Sequence, residues 1–465
     1  MGNRTQKTLP NGAYTTYNYS NRNWLTSLAN RKSDATLVSS YAYAHDYVGN
    51  RTTMTEANGD VSSYVYDNVY RLVSEEKRDS GNTLLWRYQY TYDGVGNRLT
   101  MNNSGVVTYT YDANNKLTQL VGPGGTTTFG YDGNGNMTSM IVPGPITTTY
   151  GYDYENRLTS VTAPSYTASY TYAADGLRLR VQESNHAYPD RWMQYDGVRP
   201  VLEGTLSGDT FTTLNRYVLE GASYYDPLIS ASIGGSSRFY LYDGLGSTRQ
   251  LLDANQAVTD TYQYEAFGNS MGSTGSTPNP YRYVGSLGYY QTGSSLMHLG
   301  ARYYLPEIGR FVQRDPRFGA SGYRYAYCTP PNPLASTDPT GYAIGGVIGG
   351  VLGAVVLVGG LGYCASSVLD STQRTVDAEY PKSGDDLYLH CRVLCEVVVT
   401  CSPSWIDTGT LTARVSSWLH EHDRPVSEQR RHYPPDDAGI RAGQYIRNNP
   451  CKDCDSACQA QGYKP

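Results

Sequence analysis

Cysteine is missing from the first 327 residues of this 465-residue chain, so disulfides do not hold together whatever those residues build. Charge is scarce too. Asp, Glu, Lys and Arg make up 17% of the chain, against roughly 25% in an ordinary globular protein, and the net charge of −5 excludes a basic nucleic-acid surface spread over the whole length. Phenylalanine is rarer still, with 6 Phe against 46 Tyr. Setting the tyrosines aside leaves about 29% apolar residues, too few for a large dry core. The polar opening Met1-Gly2-Asn3-Arg4-Thr5 has no apolar secretory run; it reads like the tail of a repeat seen later as Gly96-Asn97-Arg98-Leu99-Thr100, so the chain is expected to begin inside a longer array. Aromatics at 12% oppose disorder, and the 49 glycines have no three-residue period, which excludes collagen.

A Tyr-Asp pair recurs at Tyr66-Asp67, Tyr92-Asp93, Tyr111-Asp112, Tyr131-Asp132, Tyr152-Asp153, Tyr195-Asp196 and Tyr242-Asp243, with early spacings of 26, 19, 20 and 21. Residues alternate before each pair, as in Tyr88-Gln89-Tyr90-Thr91-Tyr92, which places Tyr on one face of a strand and Thr or Gly on the other. A turn such as Asp93-Gly94-Val95-Gly96-Asn97 follows, then a second short run, Arg98-Leu99-Thr100. Each unit is a β-hairpin. Lone hairpins are marginal in water, so successive units are expected to stack edge to edge into one curling sheet. A face packed on solid core takes Phe as readily as Tyr, so the excess of Tyr predicts phenols lining a hollow, hydrated interior. The other reading is a Tyr ladder on an exposed sheet face that stabilises cross-strand pairs or binds sugar rings.

These units resemble YD (RHS) repeats, and residues 239–342 resemble the RHS-repeat-associated core domain. Two signatures carry the resemblance. One is Phe239-Tyr240-Leu241-Tyr242-Asp243-Gly244-Leu245-Gly246-Ser247-Thr248-Arg249, followed by Tyr264-Glu265-Ala266-Phe267-Gly268-Asn269. The other joins Gly300-Ala301-Arg302-Tyr303-Tyr304, Gly309-Arg310-Phe311-Val312-Gln313-Arg314-Asp315-Pro316 and Asn332-Pro333-Leu334-Ala335-Ser336-Thr337-Asp338-Pro339-Thr340-Gly341. The resemblance covers roughly residues 1–342. It implies a β-strand shell that spirals around and encloses a C-terminal polypeptide, usually a toxin of bacterial competition or of an insecticidal complex.

The resemblance also implies self-cleavage. Hydrolysis by carboxylates needs two of them close together, one protonated as acid and its ionised partner acting as base on water. Asp315 and Asp338 match the family positions, with Arg314 beside Asp315 to hold that carboxylate ionised or to position the substrate carbonyl. The bland reading makes both Asp-Pro pairs turn initiators. Where the family places Leu after Asp-Pro-x-Gly and cleaves behind it, this chain has Tyr342, so cleavage is expected after Tyr342.

Residues 343–362 carry no charge for twenty positions and repeat small residues at Gly345, Gly349 and Gly353. As a helix they are long enough to cross a bilayer. They also suit packing inside the shell, or a flexible spacer.

From residue 363 a small α-rich domain is expected. From 343 onward the balance is 11 Lys+Arg against 14 Asp+Glu, which disfavours a nuclease that grips phosphate by charge. Cys391, Cys395 and Cys401 precede Cys451, Cys454 and Cys458 at spacings that suit disulfides between two helices. A zinc site built from Cys391, Cys395, Cys454 and Cys458 is the rival; no other cofactor is indicated. His420 and His422 flank Glu421, which suits either a metal on a strand or dipole complementation at a helix end.

The expectation is therefore mainly β: a spiral shell of stacked hairpins, closed or open (1–238), a core domain (239–342), an apolar Gly-rich segment (343–362) and a Cys-rich effector domain (363–465). It would belong to the C-terminal part of a polymorphic toxin that releases its effector by aspartyl autoproteolysis. Its expected partners are its own effector domain, an immunity protein, secretion or delivery machinery and a membrane, with no nucleic acid indicated; its expected location is secreted or at the cell surface. The rival is a non-enzymatic, carbohydrate-binding surface protein anchored by the apolar segment.

Overall fold

A computed structural model describes residues 3–186, 188–221, 226–316 and 324–342. The expected apolar segment at 343–362 and the Cys-rich domain at 363–465 lie outside those residues, as do the six candidate cysteines and both His candidates. Among the described residues no helix is long and apolar enough to cross a membrane, no group of three or more His, Cys, Asp or Glu could hold a metal, and Cys328 is a buried free thiol.

From Gln6 to Thr274 the chain forms one antiparallel sheet of 25 strands. Each strand pairs with its neighbour in sequence, as Leu84–Tyr92 does with Arg98–Asn102 and that strand with Val106–Tyr111. The sheet is open: among the described residues no ladder joins the first strand to the last. A second, four-stranded sheet of short strands lies between Tyr290 and Phe311.

The Tyr-Asp pair builds the turn. At Asp93 the side-chain Oδ1 accepts the N–H of Val95 and of Asn97, while the Asp93 N–H donates to Asn97 O and the Gly96 N–H to Asp93 O. Gly96 takes φ +82, the left-handed conformation that the fourth turn residue also adopts at Asn115, Asn156 and Gly246. Asp67, Asp112, Asp153 and Asp243 repeat the two side-chain bonds. These aspartates are turn caps.

The tyrosine hydroxyls beside the turns have backbone partners. Tyr92 donates to Leu72 O at 2.8 Å, Tyr111 to Arg98 O at 2.8 Å, Tyr152 to Met137 O at 2.8 Å and Tyr172 to Leu158 O at 2.7 Å, each ring reaching back to the hairpin before it. At these positions the hydroxyl is a stitch between hairpins. Two residues before each stitch the ring is buried: Tyr90 and Tyr109 are 3% exposed, and Phe129 and Met193 stand at equivalent places. Phe or Met is tolerated there because no backbone carbonyl waits for a hydroxyl. Farther from the turns the same face is only half-buried at Trp86, Tyr88, Val107 and Leu120.

The late strands Ser236–Tyr242 and Thr248–Leu252 depart from this one-sided pattern. Leu241 and Leu252, both 0% exposed, pack on Leu9 and Ala13 from the start of the chain, while Tyr240 and Leu251 join the main core on the opposite face. Side chains hold first and last hairpins together: Arg249 pairs with Glu56 at 3.0 Å, Asn11 donates to Asp253 O, and the Gly244 N–H donates to the Tyr43 hydroxyl.

Residues 279–316 and 324–342 run along the Tyr-Asp turns. Met137 N–H donates to Val312 O, Leu72 N–H to Pro331 O, Arg310 to Asn97 Oδ1 and Asn115 O, and Tyr325 to Gly135 O. Several of these contacts satisfy backbone groups at positions where the strand register shifts and the ladder leaves them unpaired.

Candidate active site

Asp315 and Asp338, 23 positions apart in sequence, meet at one guanidinium. Arg302 Nη2 lies 2.9 Å from Asp315 Oδ2 and 3.3 Å from Asp338 Oδ2. All three side chains are almost wholly buried: Arg302 and Asp315 are 1% exposed and Asp338 0%. Charges this far from water persist only when paired. Burial pulls the Arg302 guanidinium below its ordinary value, and Asp338 and then Asp315 oppose that pull. The Arg302 Cζ also sits 3.7 Å from the centre of the Phe311 ring, which fixes the plane of the fork.

Arg302 opens the short strand Arg302–Leu305, paired through a tight turn with Met297–Leu299. The turn glycine Gly300 has φ +54, and a Cβ there would overlap Thr340 O. Across from it Gly341 has φ +68, and its Cβ would overlap Leu299 O. The two backbone segments therefore touch, and the Ala301 N–H donates to Thr340 O at 3.0 Å.

That approach presents the end of the described chain to the charged groups. Arg302 Nε donates to Gly341 O. The Tyr342 N–H donates to Asp338 Oδ1 at 3.2 Å, and the Thr340 hydroxyl donates to the same oxygen at 3.1 Å. Behind Asp338, its own N–H donates to the Tyr289 hydroxyl at 2.7 Å, and Tyr289 is bonded to the Tyr327 hydroxyl at 2.8 Å.

The Arg314 stem lies against the Asp132–Asn136 turn at Gly135, and the guanidinium that bridges the two aspartates belongs to Arg302. The signal for Arg302 was present in the sequence: it is the one formally charged residue between Leu296 and Leu305, and a charge inside such an apolar run needs a buried counter-charge.

The model for the family described as RHS Repeat matches residues 92–127 and 111–144. Residues 92–144 therefore carry RHS repeats. The stitched turns at Tyr92-Asp93 and Tyr111-Asp112 fall within the matched residues. Among curated proteins, the RHS-repeat chain is 30% identical over 198 residues to a tRNA3(Ser)-specific nuclease WapA of Bacillus spizizenii, covering 37% of this chain and 8% of that one. It is 27% identical over 205 residues to the double-stranded DNA deaminase toxin A of Burkholderia cenocepacia, covering 37% of this chain and 14% of that one. It thus spans a small part of the length of either relative. A solved structure of the Photorhabdus luminescens Tc holotoxin pore matches at 17% identity with a TM-score of 0.35, over 71% of this chain and 21% of that one.

Proposed function

We propose that this RHS-repeat chain is part of a polymorphic toxin in which residues 1–342 enclose the C-terminal residues and release them by cleaving their own backbone after Tyr342. The observation that carries the reading is the bridging of Asp315 and Asp338 by Arg302 beside the Gly341 carbonyl and the Tyr342 N–H. One carboxylate takes a proton from water as that water adds to the Tyr342 carbonyl carbon. The other, as the neutral acid, gives a proton to the departing amine of Ala343. The products are a Tyr342 carboxylate and a free Ala343 amine. Arg302 holds the preceding residue still and supplies positive charge to the developing oxyanion. The released piece stays inside the shell until it opens, so cleavage acts as a release step.

The contacts themselves grip the Gly341–Tyr342 peptide, one bond upstream. Intact-mass measurement of the small fragment distinguishes the two bonds: a fragment beginning at Ala343 is expected, and one beginning at Tyr342 moves the cut while keeping the same groups. A wild-type chain that stays whole on a denaturing gel would remove the proteolytic reading.

The curated relatives are named as a nuclease and a deaminase toxin. For this chain the effector's target, its immunity protein, its delivery machinery and a secreted location belong to the same proposal. Expressing residues 343–465 in a bacterial cytoplasm and periplasm, and finding where growth stops, tests it.

A further inference from the structure

Besides Asp315 and Asp338, a second pair of carboxyl groups joins the early and late hairpins. Glu75, on strand Leu72–Arg78, is 0% exposed, and Glu265, in the turn after strand Val258–Tyr264, is 3% exposed. No backbone ladder links these strands. The contact is made by side chains: the Ala266 N–H donates to Glu75 Oε2 at 2.9 Å, and the Tyr90 hydroxyl lies 2.7 Å from Glu75 Oε1 and 3.4 Å from Glu265 Oε2. Glu265 also accepts the N–H groups of Phe267 and Asn269 and the Asn269 side-chain amide. Glu75, with fewer donors around it, is the member of the pair left as the neutral acid.

Among the described residues no ion pair joins a cation to Glu75 or Glu265, and the groups around the pair are mostly phenols. Tyr64 and Tyr66 face the pair from strand Val61–Tyr66, Tyr88, Tyr90 and Tyr92 from strand Leu84–Tyr92, and Tyr283, Tyr304 and Glu307 from the closing segment. Arg98 lies over the Tyr90 and Phe267 rings, and among the described residues no ion pair joins it to either glutamate. We infer that Glu75 and Glu265 share one proton at neutral pH and form a latch that holds the bent sheet together in acid and loosens in alkali.

Burial, and after it the charge of Glu265, pushes the Glu75 carboxyl well above the ordinary carboxylate range. A group raised in this way contributes stability that is fully present below its unfolded pKa and is lost as pH rises through its folded one. A neighbouring joint has the opposite sign. Burial opposes ionisation at Glu56, but Arg249 and Lys77 hold that carboxyl below its ordinary value, so the Glu56 joint weakens on acidification. The two joints together confine the tightest closure to a window between acid and alkali. The latch does not depend on the proteolytic reading.

Hydrogen exchange of residues 264–269, corrected for the intrinsic rate, tests the latch against pH. In the wild type, opening is expected to rise about tenfold for each pH unit between the open-state and the closed-state midpoints of Glu75 and to level off above the latter, and in Glu75→Gln it is expected to stay flat, because the amide imitates the neutral acid. The infrared band of a protonated carboxyl, followed in a Glu307→Gln, Asp315→Asn, Asp338→Asn background so that neither Glu307 nor the Asp315–Asp338 pair contributes, is expected to persist at neutral pH and to vanish as the segment loosens; this readout stands alone if Glu75→Gln does not fold. Absence of that band at neutral pH, or an unchanged alkaline response in folded Glu75→Gln, overturns the latch.

Discussion

The repeated hairpins and the closing segment solve the same problem of burying apolar surface in different ways. Between Tyr14 and Leu219 the sheet buries mainly one face, and each unit repeats a turn cap and a hydroxyl stitch that reach only as far as the next hairpin. In strands Ser236–Tyr242 and Thr248–Leu252 both faces are enclosed, and the contacts of the late part of the chain are long-range, as Arg249 to Glu56 and Asn332 to Asn50 show. A local solution tolerates loss one unit at a time. A long-range one concentrates its consequences in a few side chains.

The largest effect is expected at the charged bridge. Asp315→Asn, Asp338→Asn and Arg302→Ala should each lower the rate of fragment formation by about a hundredfold or more, read as a time course on a denaturing gel. Gly341→Ala should suppress the fragment as well, because its side chain has no room against Leu299 O; a Gly341→Ala chain that cuts normally would show that the close approach is not required.

Next in size comes the two-faced core. Leu241→Ala should destabilise by about 2–5 kcal/mol, whereas Val106→Ala, 53% exposed on the repeat array, should stay within about 0.5 kcal/mol in denaturant melts. Equal effects would erase the contrast between the regions.

Smaller again, Tyr92→Phe strips the Leu72 carbonyl of its donor and should cost about 1–2 kcal/mol. Tyr150→Phe, at the place where a neighbouring unit already carries Phe129, should be close to neutral. Finally, acidification should loosen the joint at Glu56, where Arg249 and Lys77 keep the carboxyl low; in Glu56→Gln, protease sensitivity of the first hairpins should lose most of its dependence on acid. A Glu56→Gln profile that still follows the wild-type acid curve would remove that joint from the account.

Much of the architecture was legible in residue order because the repeat is a local device. Asp-x-x-Gly-Asn writes a turn, alternation writes a strand, and a period near 20 writes a stack. The purpose of the hydroxyls was not legible. A phenol reads the same in sequence whether it faces water or a carbonyl in the hairpin before it. Arg302 was quoted as part of a motif, yet nothing in its neighbours in sequence names Asp315 and Asp338 as its counter-charges.

The sequence by itself determined the hairpin, its cap, its period and the mainly β class, since each depends on residues within a few positions of one another. Only the tertiary structure decided which groups meet: Arg302 between two aspartates, Glu75 against Glu265, and Leu241 against Leu9. Those meetings depend on how far the sheet bends over 25 strands, a sum of many small twists that no short stretch of residues encodes.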